Sequence, residues 1–224
     1  MPRIVTRRQP ADFRQIATLL ICVSFCAARL PAQQPPAQAY ALGFSQSQIA
    51  TAPLAPTLNL SDPFTIEGWL FLEVATPGAL VMGKYNSSST TEPWLWALAL
   101  DGTGRRISFA ESTGQSGSTR SVQTTSDLPF FQWVHVAGVL SSGTLRLYLN
   151  GQLVGTQSGA GAPANGASPF ALGSAAAQDG TPACCSIGGA LSQVSLWNSA
   201  LRHRTTGQPR QIPSSHPVNR VHQV

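Results

Sequence analysis

The 224-residue sequence carries 14 Lys and Arg against 9 Asp and Glu, which gives a formal net charge of +5. This positive charge is confined to the ends, because residues 1–39 and residues 202–224 each carry +4 whereas residues 40–201 carry −3. A nucleic-acid-binding surface needs Lys and Arg clustered on the folded module, so the charge distribution excludes nucleic acid as a partner.

The chain begins with a basic segment followed by an apolar run of 13 residues, Ile16 to Ala28. A run of this length is typical of a signal peptide and falls short of the ~20 residues that span a bilayer. We predict a signal peptide over residues 1–32, with cleavage after Ala39 as an alternative, and a short linker over 33–39. The protein is then secreted or held at the cell surface or in the periplasm, and it does not span a membrane.

Residues 40–201 consist of short runs with strand character, separated by turn-forming residues. No apolar period of 3.6 residues continues long enough for a major helix. We therefore predict an all-β domain over 40–201, a two-sheet antiparallel β-sandwich. The predicted strands are 39–44, 64–72, 80–85, 95–100, 107–110, 118–124, 133–140, 145–149, 152–155, 170–172 and 191–197.

The segment from Trp133 to Gly151 gives the strongest local indication of β-structure in the sequence. Apolar and polar residues alternate on both sides of Ser141-Ser142-Gly143, which predicts a β-hairpin. The second strand ends in Asn150-Gly151, the residue pair that favours a two-residue type I′ turn into a third strand.

This segment, Trp-Val-His-Val-Ala-Gly followed by Gly-Thr-Leu-Arg-Leu-Tyr-Leu-Asn-Gly, resembles the centre of a laminin-G-like jelly roll of the concanavalin A-like lectin/glucanase superfamily. Three further strings stand in the order of that family: Ala41 to Phe44, Phe64 to Leu70 and Ile187 to Asn198. The resemblance implies a module that binds carbohydrate, or a protein of the cell surface or matrix, through the loops at one rim or a concave sheet face. The candidate loops are Asn86–Glu92, Gly114–Thr119 and Gly173–Pro182.

The alternative function is that of a structural or adhesion module. The family continues past the position of Leu201 with a short amphipathic segment, whereas residues 202–224 are basic, polar and rich in Pro. We predict that this tail is disordered. In the alternative, the chain is a truncated or frame-shifted piece of a longer surface protein.

An enzyme is not predicted. Glucanases of the superfamily use two or three carboxylates that alternate along one strand, and the sequence has no such spacing around Glu67 or Glu73. His135 has no nucleophile placed with it, and we interpret it as a partly buried or hydrogen-bonded strand residue.

No cofactor is predicted, although a calcium ion bound at the rim is common among the relatives that the resemblance implies. Calcium requires about 6 to 8 oxygen ligands, and the candidate ligands here are Asp179 and, more weakly, Asn150. Both also fit an ordinary turn.

The adjacent residues Cys184 and Cys185 are the only cysteines left after signal cleavage. Their Cα atoms must lie ~3.8 Å apart, below the usual range for a disulfide of ~4.4 to 6.8 Å. A vicinal disulfide, a pair of free thiols and an intermolecular bridge all remain open.

The five tryptophans are candidates for stacking on sugar rings. Trp69, Trp133 and Trp197 lie in the strings shared with the family, and we predict that they fill the sandwich core. Trp94 and Trp96 are expected on one face of their strand together with Leu98 and Leu100, which also favours the core.

Overall fold

The structure is a computed structural model and describes residues 40–201, except for residues 46, 87 and 89–93. The signal peptide (1–32), the linker (33–39) and the basic tail (202–224) predicted from the sequence lie outside the described residues. In the part of the chain that is described, no helix has the length and hydropathy that a bilayer span requires.

Fourteen strands and one short 3₁₀ turn at Pro56–Leu58 make up the described fold. In chain order the strands are β1 Ala41–Phe44, β2 Ala50–Ala52, β3 Phe64–Val74, β4 Leu80–Tyr85, β5 Trp94–Leu100, β6 Ile107–Glu111, β7 Arg120–Gln123, β8 Trp133–Ser141, β9 Thr144–Leu149, β10 Gln152–Ser158, β11 Phe170–Leu172, β12 Ala175–Ala176, β13 Pro182–Cys184 and β14 Gly188–Trp197.

Twelve of these strands form two six-stranded sheets. The sheet that we call the front sheet has the order β1-β14-β3-β8-β9-β10, and the back sheet has the order β2-β11-β4-β5-β6-β7. All pairings within both sheets are antiparallel. The predicted two-sheet β-sandwich is therefore confirmed. The short strands β2, β12 and β13 were not predicted.

The main core lies between the two sheets. On β3 the buried side chains of Phe64, Ile66, Leu70 and Leu72 point into this core, as the period of two requires. Gly138 lies on the inner side of β8, where a Cβ atom would collide with the ring of Phe109. The lack of a side chain there lets the two sheets pack closely.

The hairpin at the centre of the sequence forms as predicted. β8 pairs with β9 from Val136↔Leu149 to Ser141↔Thr144. Asn150 and Gly151 connect β9 to β10 with φ of 48° and 77°, so both residues take the positive values that a type I′ turn requires.

The strands β12 and β13 form a separate hairpin that packs against β4 of the back sheet. We call residues 174–186 the clasp. Between the clasp and the back sheet lies a second, smaller apolar cluster of fully or almost fully buried residues. The back sheet contributes Leu80, Ala97 and Ala171, and the clasp contributes Ala175 and Ala176.

Candidate functional site

The outer face of the front sheet carries a concentration of aromatic side chains. They are half-buried or exposed, and they alternate along β3 and β8 with the residues of the main core. We call this surface the aromatic face and define it by Glu67, Trp69, Phe71, Phe131, Trp133, His135, Tyr148 and Trp197.

Strand register places the members of the aromatic face side by side. Trp69 of β3 lies opposite His135 of β8, and Phe71 lies opposite Trp133. The ring centroids of the first pair are 5.3 Å apart, and those of the second pair are 5.4 Å apart. The exposed ring of Phe131 extends the second row, 6.5 Å from Phe71. The result is a continuous apolar surface two strands wide.

A polar group lies next to these rings. The Oε1 atom of Glu67 accepts a hydrogen bond from Nε1 of Trp197 at 3.0 Å, and its Oε2 atom is 3.6 Å from Nε2 of His135. The side chains of Glu67 and His135 are 13% and 24% exposed, so a ligand on this surface can reach both. Ala137 pairs with Glu67 on one side and with Tyr148 on the other. The small side chain of Ala137 leaves a depression in the surface between the larger side chains of Glu67 and Tyr148.

The structure corrects the prediction that Trp69, Trp133 and Trp197 fill the core. All three are half-buried on the outer face. The sequence contained a usable signal, because Glu67 shares the odd-numbered face of β3 with Trp69, and a carboxylate on that face argues against the core.

His135 lies on β8 with its side chain partly buried, and its backbone N–H donates to Oδ1 of Asn150 at 2.9 Å. The interpretation of His135 as a partly buried or hydrogen-bonded strand residue is confirmed.

The prediction that Trp94 and Trp96 share one face is also wrong. The register of β4 and β5 shifts between these residues, since Trp96 pairs with Lys84 and Trp94 with the next residue, Tyr85. This irregularity sends Trp96 into the main core, where it stacks on Phe170 at 5.8 Å. Trp94 lies half-buried at the edge of the cluster beneath the clasp, 5.0 Å from the ring of Tyr85.

The sulfur atoms of Cys184 and Cys185 are bonded to each other in the clasp. Both residues are half-buried, and Cys185 has a φ of 65°. At the other end of the clasp, Nε2 of Gln178 donates to Oγ of Ser88 at 3.4 Å. Two of the three predicted rim loops, Asn86–Glu92 and Gly173–Pro182, therefore meet at this point, although residues 87 and 89–92 are outside the described part of the chain.

The two predicted calcium ligands lie in different hairpins. Oδ1 of Asp179 accepts hydrogen bonds from N and Oγ1 of Thr181 at 3.0 and 2.6 Å, and these bonds hold the pKa of Asp179 below its usual value. Oδ1 of Asn150 is engaged by His135. A calcium ion needs several converging oxygens, and these two residues lie apart, so calcium binding at Asp179 or Asn150 stays a prediction. Nowhere in the described ranges do three His, Cys, Asp or Glu side chains converge in the way a metal ion requires.

Two charged residues are buried inside the sandwich rather than on either candidate surface. Lys84 donates from Nζ to Oδ1 of Asn59 at 3.0 Å and to the carbonyl of Asn165 at 3.3 Å, and burial lowers its pKa. Glu111 is 0% exposed, and its carboxylate has no hydrogen-bond partner among the described residues. Burial raises the pKa of Glu111 to about 7, and the nearby backbone of Gly161 only partly opposes this effect.

The Laminin_G_3 family model, described as the concanavalin A-like lectin/glucanases superfamily, matches residues 44–205. No curated protein sequence matches the chain.

Several solved structures share the fold at low sequence identity. The CBM40 of a Ruminococcus gnavus IT-sialidase, solved with α2,3-sialyllactose, is 14% identical with a TM-score of 0.58, and the match covers 72% of this chain and 91% of that one. A candidate carbohydrate-binding protein from Bacteroides ovatus is 18% identical with a TM-score of 0.55, and the match covers 73% of this chain and 44% of that one. Domains LG4-5 of the mouse laminin α1 chain are 12% identical with a TM-score of 0.54, with coverage of 77% and 48%. The chain thus spans less than half of the Bacteroides and mouse chains.

Proposed function

We propose that this chain, which belongs to the concanavalin A-like lectin/glucanases superfamily, is an exported, non-catalytic module that binds carbohydrate on its aromatic face. The observation that supports this proposal is the row of half-buried rings around Glu67 and His135. The apolar C–H face of a pyranose packs on aromatic rings, whereas its hydroxyl groups need hydrogen-bonding partners at the ring edge. The aromatic face offers both within one surface.

The position of each residue on the aromatic face indicates its role in binding a sugar. Trp69 and Trp133 present rings from neighbouring strands, one row apart along the sheet. The carboxylate of Glu67 can accept hydrogen bonds from sugar hydroxyls, and Nε2 of His135 lies beside it. Because Trp197 and His135 already orient Glu67, the polar group is ordered before a ligand arrives, and this reduces the entropy cost of binding.

The resemblance implied the rim loops or a concave sheet face as the binding site, and we propose the aromatic face of the front sheet instead of the loops. Ser88 and Gln178, from the predicted loops Asn86–Glu92 and Gly173–Pro182, are in contact, and Trp94 of the back sheet packs on the cluster beneath the clasp. These loops provide the competing site for the same function, which the experiment below distinguishes.

The spacing of the carboxylates supports a non-catalytic role. Glu67 and Glu73 share the outer face of β3 but are six residues apart, which corresponds to roughly 20 Å along a strand. Glycosidases place their two carboxylates ~5 to 9.5 Å apart.

The test is a glycan-array assay on the full chain, with Trp69→Ala and Trp133→Ala as site variants. Trp94→Ala is the matched control, because it removes the same half-buried side chain from the back sheet. The proposal expects selective glycan binding that falls by at least about tenfold, roughly 1.4 kcal/mol, in the two site variants and not in the control. Circular dichroism confirms that each variant is folded.

The other outcomes are equally informative. Loss of binding only in Trp94→Ala would move the site to the rim loops. An absence of glycan binding by the folded wild-type protein would favour the alternative of a structural or adhesion module with a protein partner. Each assay is run with calcium and with chelator, and loss of binding in chelator would make Asp179 a candidate calcium ligand again.

A further inference from the structure

The clasp covers an apolar surface that would otherwise face solvent. Leu80, Ala97 and Ala171 are 0% exposed although they lie outside the main core. β12 and β13 of the clasp complete their burial. This burial therefore depends on how the clasp is attached.

The cysteine pair forms the attachment at the base of the clasp. The backbone N–H of Leu80 donates to the carbonyl of Cys185 at 2.8 Å. Oγ of Ser174 donates to the carbonyl of Cys184 at 2.9 Å, and Oγ of Ser186 lies 3.0 Å from Oγ of Ser174. Both carbonyls must point in defined directions for these bonds to form.

The conformation of Cys185 sets one of those directions. Its φ of 65° lies in the left-handed region, which residues with a Cβ atom rarely adopt. A bond between adjacent sulfurs closes a small ring that includes the peptide linking the two residues, and this ring restrains the backbone. Without the ring, Cys185 is free to return to negative φ, and its carbonyl then turns away from Leu80.

The effect of breaking the bond should be local. Cross-links stabilise a protein mainly by closing long loops of the unfolded chain, and this cross-link joins residues one position apart. Its loss therefore changes the entropy of the unfolded state very little. The two sheets, whose main core lies elsewhere, should remain folded.

We propose that the Cys184–Cys185 disulfide is a redox-sensitive latch that keeps the clasp closed over the back sheet. A thiolate of a dithiol reductant attacks one of the two half-buried sulfurs, the bond between the cysteines breaks, and a mixed disulfide forms. The second thiol of the reductant then displaces the cysteine sulfur. Two electrons and two protons pass to the cysteines, and the dithiol leaves as its own disulfide. The reduced clasp loosens and exposes the apolar cluster around Leu80.

The experiment measures amide hydrogen exchange on the full chain before and after treatment with dithiothreitol, and peptide mass verifies the gain of two hydrogens in the peptide that contains Cys184 and Cys185. Exchange should become at least about tenfold faster across residues 174–186 and at Leu80. The amides of β3, β8 and β9 should keep their rates, and binding of a hydrophobic dye should increase. Unchanged exchange in the clasp would overturn the proposal, as would free thiols at Cys184 and Cys185 before reduction, located by alkylation and peptide mapping.

Two double variants test the role of φ. Cys184→Ser with Cys185→Ser should behave like the reduced protein. Cys184→Ser with Cys185→Gly should restore slow exchange without a disulfide, because glycine adopts positive φ without a penalty. Failure of the glycine variant to restore protection would overturn the mechanism. Global unfolding on reduction would also do so, since the disulfide would then stabilise the whole domain rather than latch one hairpin.

Discussion

The two sheets of the sandwich differ most on their outer faces. The front sheet presents large rings and a polar pair, which stay half-buried or exposed. The back sheet presents a row of small residues, and the clasp packs over one end of that row. The row, defined by strand register, consists of Ala171, Gly83, Ala97 and Ala110.

This difference shows that side-chain size on an outer face decides whether another element can cover it. Small residues let a hairpin approach a sheet closely. Gly83 is required for a different reason, because at its φ of 149° a Cβ atom would collide with Ala97 of the neighbouring strand β5. Large rings hold any covering element away and leave a surface suited to a ligand. The same period of two therefore yields a packed layer on one sheet and a candidate binding surface on the other.

The largest expected effect comes from comparing one apolar side chain from each face. Leu80→Ala should lower the free energy of unfolding by about 3 kcal/mol, because a fully buried side chain leaves a cavity. Trp133→Ala should cost only about 1 kcal/mol, although it removes a larger group, since its ring is already partly in water. Urea unfolding measures the free energy of unfolding of both variants, provided that the m value is the same as in the wild-type protein. Equal losses would show that the aromatic face is as much a part of the core as the cluster beneath the clasp.

The second prediction concerns the buried carboxyl of Glu111. Its pKa in the folded protein is about 7 and its ordinary value is 4.5, so the native state binds more protons than the unfolded state between these values. Stability contributed by the neutral carboxyl is then lost as the pH rises through this window. Glu111→Gln should be close to neutral at pH 5 and should stabilise the protein at pH 8, by an upper limit of about 3 kcal/mol.

Urea unfolding of Glu111→Gln at both pH values provides the measurement. Glu73→Gln, at an exposed position on β3, is the matched control and should show almost no dependence on pH. An equal effect of Glu111→Gln at pH 5 and pH 8 would mean that the carboxylate is stabilised inside the sandwich by a group that compensates for its burial.

The sequence was sufficient for those features whose signal is local. The β8–β9 hairpin and the Asn150-Gly151 turn were predictable because alternation and turn chemistry act between near neighbours. β2, β12 and β13 were not, because they are short and contain no large apolar side chain, whereas β11 is equally short but was predictable from Phe170 and Leu172.

The candidate site was only partly predictable, because β3 and β8 are apolar on both faces. Periodicity shows which residues share a face, but it does not say which face points inward when rings occur on one side and aliphatic groups on the other. The prediction for Trp94 and Trp96 was wrong for another reason. A single irregularity in the pairing of β5 reverses the faces, and nothing in the local sequence marks its position.

The smallest expected effect tests the polar group on the aromatic face. Glu67→Gln keeps an oxygen that can accept from Nε1 of Trp197 but removes the charge beside His135, so it should change stability by less than about 1 kcal/mol. Trp197→Phe removes the donor and leaves Oε1 of Glu67 without it, at a cost of about 1 kcal/mol.

A double-mutant cycle between Glu67→Ala and Trp197→Phe then isolates the hydrogen bond itself, with an expected coupling of about 1 kcal/mol. Coupling near zero would show that Trp197 does not hold Glu67 in place. In that case His135 would be the more important contact of Glu67, and His135→Ala should weaken glycan binding as strongly as the loss of a ring. Coupling of the expected size would instead predict that Trp197→Phe weakens glycan binding only modestly, because His135 would still hold the carboxylate beside the rings. The cycle therefore shows whether Trp197 and His135 both hold Glu67 on the aromatic face or whether Trp197 contributes nothing to its position.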